Sequence, residues 1–365
     1  MSDPQGEPLA ENPFDAADFL ARLEQSGRER ERVAARRPGC DELASSLGPF
    51  AGFLYETVDT SRKLEEAKRG LVPGRSYAWL PAAGSPAAGD VDFFAPLVEQ
   101  FCQGFEPVGT HWLETNPSRN PAAWSVVFLR RVFFTVIDHL RALAELVGTG
   151  AHLRAPLVLS RTLLEASSVG SFIIDIEVEP KERLRRILNL HLEELKEASN
   201  ATTGDPREQY ESSIAELLAF ARHCALPVAS YRPERFQAPM LPGPTSSRSE
   251  SASRMVDIAL PDLGREMYRS LSAVAHSRDS RTLLPDEYSL PHEIVDWRRT
   301  ESAAWHSIAP LFVVKLLAER TAAYLGWDSL DAWATSFDVV ITQWSIAGGL
   351  ADEQIRSALG LGPQS

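Results

Sequence analysis

Apolar side chains along this chain recur every three or four residues, the spacing of helices with one buried face. The clearest run follows Asn120 and Pro121, a good N-cap and a good first helical residue. It carries Val126, Val127, Phe133, Phe134, Ile137, Leu140 and Leu143, and Gly148 and Gly150 end it. Pro156 opens a second helix with Leu159, Leu163, Leu164, Val169, Phe172 and Ile173. Pro180 opens a third with Leu184, Ile187, Leu188, Leu192 and Leu195; its other face holds Lys181, Glu182, Arg185, Glu193 and Lys196. Asp205-Pro206 opens a fourth with Tyr210, Ile214, Leu217, Leu218 and Ala221. The turns between them are short, so these four helices should pack as antiparallel neighbours.

The flanks are less regular. Residues 1–13 read as disordered, and a polar helix is expected from about Asp15 to Arg36. A helix follows Pro49, with Phe50, Phe53, Leu54 and Val58 on one side. Gly70 to Gly89 reads as a loop, after which Asp90 can cap a helix carrying Phe93, Phe94, Leu97, Val98 and Phe101. Pro227 to Arg254 is rich in proline and then serine, and reads as a long loop with a disordered serine end. Pro261-Asp262 starts a helix through His276. Another begins near Pro291, should kink at Pro310 and ends at Gly326. A last long helix runs from Leu330 to Ile346, and residues 351–359 form a short polar helix. No strand of period two and no internal repeat is evident.

The expected architecture is therefore all-α. One helical bundle covers residues 90–348 and is interrupted by the loop at 227–254. Residues 1–89 are a partly disordered or peripheral region, and 349–365 are a short helix and tail.

Composition narrows the setting. The chain has 365 residues, 44% hydrophobic and 24% charged, with a net charge of −13. That balance suits a globular fold and disfavours loose attachment to nucleic acid, so any RNA contact must come from a local basic patch. Arginine dominates the basic residues, and the abundance of Arg, Ala, Gly and Pro is the usage of a GC-rich bacterial genome. Cys40, Cys102 and Cys224 are far apart, which argues against a disulfide framework or a zinc site. The acidic N-terminus is no signal peptide, and Arg130, Arg131, Asp138, His139 and Arg141 break the most apolar stretch. A soluble, cytoplasmic protein is expected, without a membrane span.

Phosphate loops, dinucleotide-binding turns, HExxH and GxSxG are all absent, and no histidine has a glutamate three residues before it. No cofactor or metal is expected. One constellation remains. Arg265, Arg269, Ser272 and His276 stand at i, i+4, i+7 and i+11, so on a helix they share one face. Met267, Leu271 and Val274 share the opposite, core-facing side. Arginine can grip a phosphate through two parallel hydrogen bonds, and histidine can move a proton near neutral pH. That stripe suits RNA phosphodiester cleavage, with Arg269 steadying charge and His276 moving the proton. The bland reading stands beside it: His276 as a capping or internally bonded imidazole. Arg185 and Arg186 before His191, and Arg299 before His306, match the same spacing.

The wording Tyr268-Arg269-Ser270-Leu271-Ser272 through His276 resembles the Arg-x(4–6)-His motif of HEPN-type helical domains. With Ile137–Leu143 and Ser160–Ala166, it also resembles three blocks of an uncharacterised group of actinobacterial proteins. The motif often has Asn, Asp or His after the arginine, where this chain has Ser270. The resemblance implies a metal-independent ribonuclease of a toxin or phage-defence type, acting as a homodimer, with Arg269 and His276 catalytic. Other members are inactive and bind nucleotides or partners. Arg161, Glu165, Arg265 and Ser272 would then line the substrate cleft, Arg161 and Glu165 standing i,i+4 on an otherwise apolar helix. An internal salt bridge is the stronger reading of that pair. Two function classes follow: a non-catalytic interaction module with an unknown protein partner, or a ribonuclease acting on RNA.

Overall fold

The computed structural model describes residues 39–68, 81–104, 121–149, 154–229, 237–243, 251–261, 264–275, 292–327 and 331–348. Among them there is no strand, and ten helices form. In chain order they are α1 (Cys40–Lys68), α2 (Pro86–Gly104), α3 (Pro121–Gly148), α4 (Ala155–Ile173) and α5 (Pro180–Ala201). Then come α6 (Asp205–His223), α7 (Ala252–Ala259), α8 (Gly264–Ala275), α9 (His292–Leu325) and α10 (Asp331–Ala347). None of the helices is long and apolar enough to cross a membrane, among the described residues.

The bundle is built around α3 and α4. Helix α3 packs on α1, α2, α4 and α5, while α4 packs on α3, α7, α8 and α9. Helix α4 can sit centrally because it is lined with small residues. Ser160, Ser167, Ser168 and Ser171 are wholly buried. A Cβ on Gly170 would stand 2.7 Å from Leu317 Cδ1 and 3.1 Å from Val132 Cγ1, so a larger residue would push the side chains of α3 and α9 away from α4. The Ser160 hydroxyl meets that of Ser307 on α9 at 2.7 Å. At the C-terminus of α4, Arg320 donates to the Ser171 carbonyl and Arg186 to the Phe172 carbonyl. Those two cations satisfy orphan carbonyls at the negative end of the helix dipole.

Several elements differ from the sequence reading, each for a physical reason. Helix α1 begins at Cys40, not after Pro49, because its apolar stripe continues on both sides of the proline: Leu43, Leu47, Phe50, Ala51 and Leu54 are all buried. Burial of that stripe offsets the one hydrogen bond that proline forfeits. Helix α1 joins the main core, and Trp344 of α10 donates to its Ser46 hydroxyl at 3.3 Å. The boundary drawn at residue 89 falls inside α2. That helix is capped by the Ser85 hydroxyl, which accepts from Ala88 N–H at 3.2 Å; Asp90 is an interior residue with another role. Pro310 lies within α9, and Gly326, at φ +66°, ends it as expected. The expected helices at 15–36 and 351–359 lie outside the described residues.

The loop of 227–254 is partly anchored. Asn189 of α5 grips the backbone of Leu241 from both sides, its amide donating to the carbonyl at 2.9 Å and accepting from the N–H at 2.8 Å. Arg185 adds a bond to the same carbonyl at 2.9 Å. The loop's last residues belong to α7, capped by Ser251.

Helix α5 carries the largest departure. It carries cations into the core, where Arg183, Arg185 and Lys196 are buried. Each has a carboxylate. Arg183 clasps Asp90 with two bonds of 2.8 and 2.7 Å, Arg185 clasps Glu182 with two of 2.6 Å, and Lys196 meets Glu211 at 2.7 Å. Burial alone would raise the Glu182 carboxyl, but Arg185 and Arg186 hold it below its ordinary value of 4.5. A carboxyl depressed on folding stabilises above its unfolded value and loses that contribution as pH falls through the depressed one. Urea midpoints should therefore stay flat from pH 7 to about 5 and decline below about 4.5, and Glu182→Gln should flatten the decline.

Candidate functional site

Helix α8 turns Met267 and Leu271 inward, into a small second core with Leu157 and Leu164 of α4, Val256 of α7, and Ala309 and Val313 of α9. Val274, the third expected core residue, has its side chain outside the described set. With that face inward, Arg265 and Arg269 are exposed on the other, as their spacing requires. Tyr268 sits at the border between the two faces and reaches across to α4. Its hydroxyl donates to Glu165 Oε1 at 2.8 Å. Arg161 Nη2 donates to the same oxygen at 3.0 Å and to the Tyr268 hydroxyl at 3.4 Å, with its guanidinium 5.5 Å from the ring centroid.

The candidate residues thus separate. Arg161 and Glu165 come together with α8, and they do so through Tyr268. Arg265 is taken by Asp257 of α7 at 2.5 Å. Arg269 has no hydrogen-bond or ion-pair partner among the described residues, and the Ser272 hydroxyl is buried without one. His276 lies outside the described residues, so the stripe is seen only as far as Ala275.

Chemically, Arg161, Glu165 and Tyr268 form a half-buried cluster of mutual hydrogen bonds. Burial lowers the guanidinium's proton affinity, but the bonds from Tyr268 and Glu165 outweigh it and raise Arg161 above its ordinary value. Its charge is spent on Glu165, so this cluster acts first as a tie between α4 and α8. Tyr268→Phe removes the hydroxyl from that tie and should cost about 1 kcal/mol in urea unfolding. Glu165→Gln should cost a similar amount, and the two losses should be less than additive because they share one bond. Full additivity would show that the cluster is not a tie.

A second surface was not singled out by the sequence reading. Tyr55 of α1 and Phe134 of α3 are 38% and 44% exposed, with ring centroids 6.2 Å apart. The Arg130 guanidinium lies 5.6 Å from the Phe134 centroid, and that of Arg141 lies 5.7 Å from the Tyr55 centroid. Phe134 had been placed in the core. It points outward because Phe133 and Ile137 already fill the inward face of α3. Trp305 of α9 is likewise 43% exposed. His139 donates from Nδ1 to the Thr135 carbonyl at 2.7 Å and is not buried in the core.

No group of three or more His, Cys, Asp or Glu side chains is placed to hold a metal ion among the described residues. Cys102 and Cys224 are free thiols, and burial pushes Cys224 up to about 12. No protein family, curated protein or solved structure matches this chain.

Proposed function

We propose that this chain is a non-catalytic helical interaction module whose protein partner docks on the Tyr55–Phe134 face between α1 and α3. The observation that carries this reading is the pair of exposed rings, each covered by a guanidinium. Tyrosine and arginine dominate the energetics of protein interfaces, and an aromatic centre with cationic neighbours offers both an apolar anchor and charge selection. Several cations elsewhere are spent internally, Arg183, Arg185 and Lys196 on buried carboxylates, Arg161 on Glu165 and Arg265 on Asp257, while Arg269 of α8 is not. Among the described residues Arg141 has no carboxylate partner, in a chain with 50 acidic and 37 basic residues. The fitting partner presents carboxylates around an apolar or aromatic side chain.

A photo-reactive residue at position 134 should label that partner in cells. The purified partner should then bind Tyr55→Ala/Phe134→Ser at least tenfold more weakly than the wild type, as expected for hot-spot truncation. Equal binding would reject this face.

The HEPN-like ribonuclease is the second reading. What supports it is the contact of Tyr268 with Glu165, which sets residues 160–166 beside the described part of the other block, 268–275. In it the described candidates Arg161, Glu165, Arg265, Arg269 and Ser272 surround an RNA strand, and His276 moves the proton. The interaction reading expects no RNA cleavage in EDTA. Cleavage that disappears in both Arg269→Ala and His276→Ala, at unchanged melting temperature, would replace it with the ribonuclease.

A further inference from the structure

Leu241 is held by α5 in the way that a binding site holds a peptide. Its side chain is wholly buried in the main core. Its backbone is met twice by one side chain: the Asn189 amide donates to the Leu241 carbonyl at 2.9 Å, and its oxygen accepts from the Leu241 N–H at 2.8 Å. That exchange of both bonds reproduces one rung of a β-ladder without a partner strand. Arg185 adds a bond to the same carbonyl at 2.9 Å. Pro242 biases Leu241 toward extended backbone. Pro239, two residues earlier, is buried as well, and Met240 between them is half-buried, so alternate residues turn inward as along a strand laid on a surface. Gly243 then crosses the Arg185 guanidinium, where a Cβ would stand 3.0 Å from Cζ and from Nη2.

The cleft is built independently of what fills it. Glu182, on the same helix, clasps Arg185 through two bonds of 2.6 Å and is itself held by Arg186 at 3.1 Å. The guanidinium therefore keeps its place when the segment leaves. The segment belongs to the connection between α6 and α7, residues 224–251, and lifting it breaks no helix. Its bond from Ala229 N–H to the Met240 carbonyl, at 3.0 Å, stays within that connection. What lifting does cost is a backbone partner for Asn189 and Arg185, which are 9% and 2% exposed. Another backbone of the same shape removes that cost.

We infer that this cleft on α5 is a peptide-binding site, filled in the isolated chain by residues 239–243, and that a segment of a partner protein takes the same place. The fitting segment is extended and carries a leucine followed two residues later by a glycine. Main-chain bonds supply the affinity, and the leucine pocket and the guanidinium floor, which leaves little room for a Cβ, supply the selection. The cleft is a different surface from the Tyr55–Phe134 face, so neither reading needs the other. The tethered occupant competes at an effective concentration on the order of millimolar, and weakening it strengthens binding of an outside segment by the same factor.

The probe is a fluorescein-labelled peptide of residues 237–243, Gln-Ala-Pro-Met-Leu-Pro-Gly, added to the full-length chain and read by anisotropy. Leu241→Ala shrinks the tethered occupant and should bind the peptide at least tenfold more tightly than the wild type does. Gly243→Val pushes the occupant off Arg185 and should do the same. A peptide N-methylated at its leucine lacks the N–H that Asn189 accepts, and should bind at least tenfold more weakly. A peptide with valine in place of the glycine should be weakened likewise. Asn189→Ala added to Leu241→Ala should remove binding while the helical circular dichroism stays unchanged. If Leu241→Ala melts early, the peptide should raise its melting temperature by mass action. Binding no tighter in either variant than in the wild type, with no rise in melting temperature, would overturn the inference and leave Leu241 a fixed anchor of its loop. Equal binding of the N-methylated peptide would also overturn it. A wild-type dimer that the peptide dissociates in sedimentation would assign the cleft to a second copy and overturn the partner form.

Discussion

Arg183→Met should destabilise the protein by about 3–5 kcal/mol, the cost of leaving one member of a buried ion pair without its partner. The side chains of Arg183 and Asp90 are 6% and 3% exposed, and two bonds join them. Arg183 also donates to the Asp175 and Val178 carbonyls, closing the turn between α4 and α5. Without the guanidinium, Asp90's side-chain partner among the described residues is the Tyr324 hydroxyl at 3.1 Å. Its carboxylate would then have to be protonated or hydrated inside the core. Burial and the neighbouring Asp90 push the Tyr324 phenol far up, so that group cannot take over the charge. The loss is a large share of the roughly 5–15 kcal/mol that keeps a domain folded. Asp90→Leu/Arg183→Met should be less destabilised than Arg183→Met alone, because no uncompensated charge remains, and Tyr324→Phe added to that pair should recover more. Urea unfolding of the four chains checks the order. A single variant within 1 kcal/mol of the wild type would show that the pair is dispensable.

That ion pair marks where sequence reading stops. Helices α3 to α6 announce themselves locally, through Pro121, Pro156, Pro180 and Pro206 near their starts and through periods of three and four. Local signals cannot report that Arg183 has a carboxylate 93 residues away, or that Asn189 holds a backbone 52 residues away. Lys181–Arg186 therefore reads as a surface run, although Arg183 and Arg185 lie inside. Pro49 reads as a start because proline weakens a helix interior; only the burial of Leu43 and Leu47 shows that the helix runs through it. Helix α7 has eight residues, too few for a period to register. The candidate site divides the same way. Arg161 and Glu165 are legible as an i,i+4 pair, whereas the Tyr268 hydroxyl that joins them comes from 103 residues beyond Glu165. The Tyr55–Phe134 face was hidden for a related reason. Two adjacent phenylalanines in an amphipathic helix cannot both point inward, and the sequence does not say which one yields.

Those long-range ties also divide the molecule. The main core holds α1 to α6 with α9 and α10, while α7 and α8 add a satellite of a few apolar side chains against α4 and α9. Polar ties to the satellite are few among the described residues: Tyr268 to Glu165 and Arg161. Stability should therefore be uneven, with α7 and α8 opening at lower free energy than α3 or α5. The candidate stripe of Arg265, Arg269 and Ser272 rides on this looser unit, and the Tyr55–Phe134 face on the tighter one.

Gly264→Ala tests that division and should cost about 2–3 kcal/mol, confined to the satellite. A Cβ at Gly264 would stand 2.4 Å from the Val256 carbonyl oxygen and 3.0 Å from its carbon. That oxygen already accepts from Leu260 N–H at 2.9 Å, and Gly264 N–H donates to Leu260 at 2.8 Å, so the turn has no slack. A backbone carbonyl cannot swing aside as a side-chain tip can, so α8 must lift from α7. Val256, Met267 and Leu271 would lose their shared packing, and Tyr268 would be drawn from Glu165. Exchange of the α7 and α8 amides should accelerate by about 30- to 150-fold, the equivalent of that cost at 1.4 kcal/mol per tenfold, while α3 and α5 keep their wild-type rates. Uniform acceleration across all helices would show one cooperative unit and remove the distinction. Partner binding at the Tyr55–Phe134 face should be untouched by Gly264→Ala. Loss of an RNA-cleaving activity in that variant would instead place function on α8.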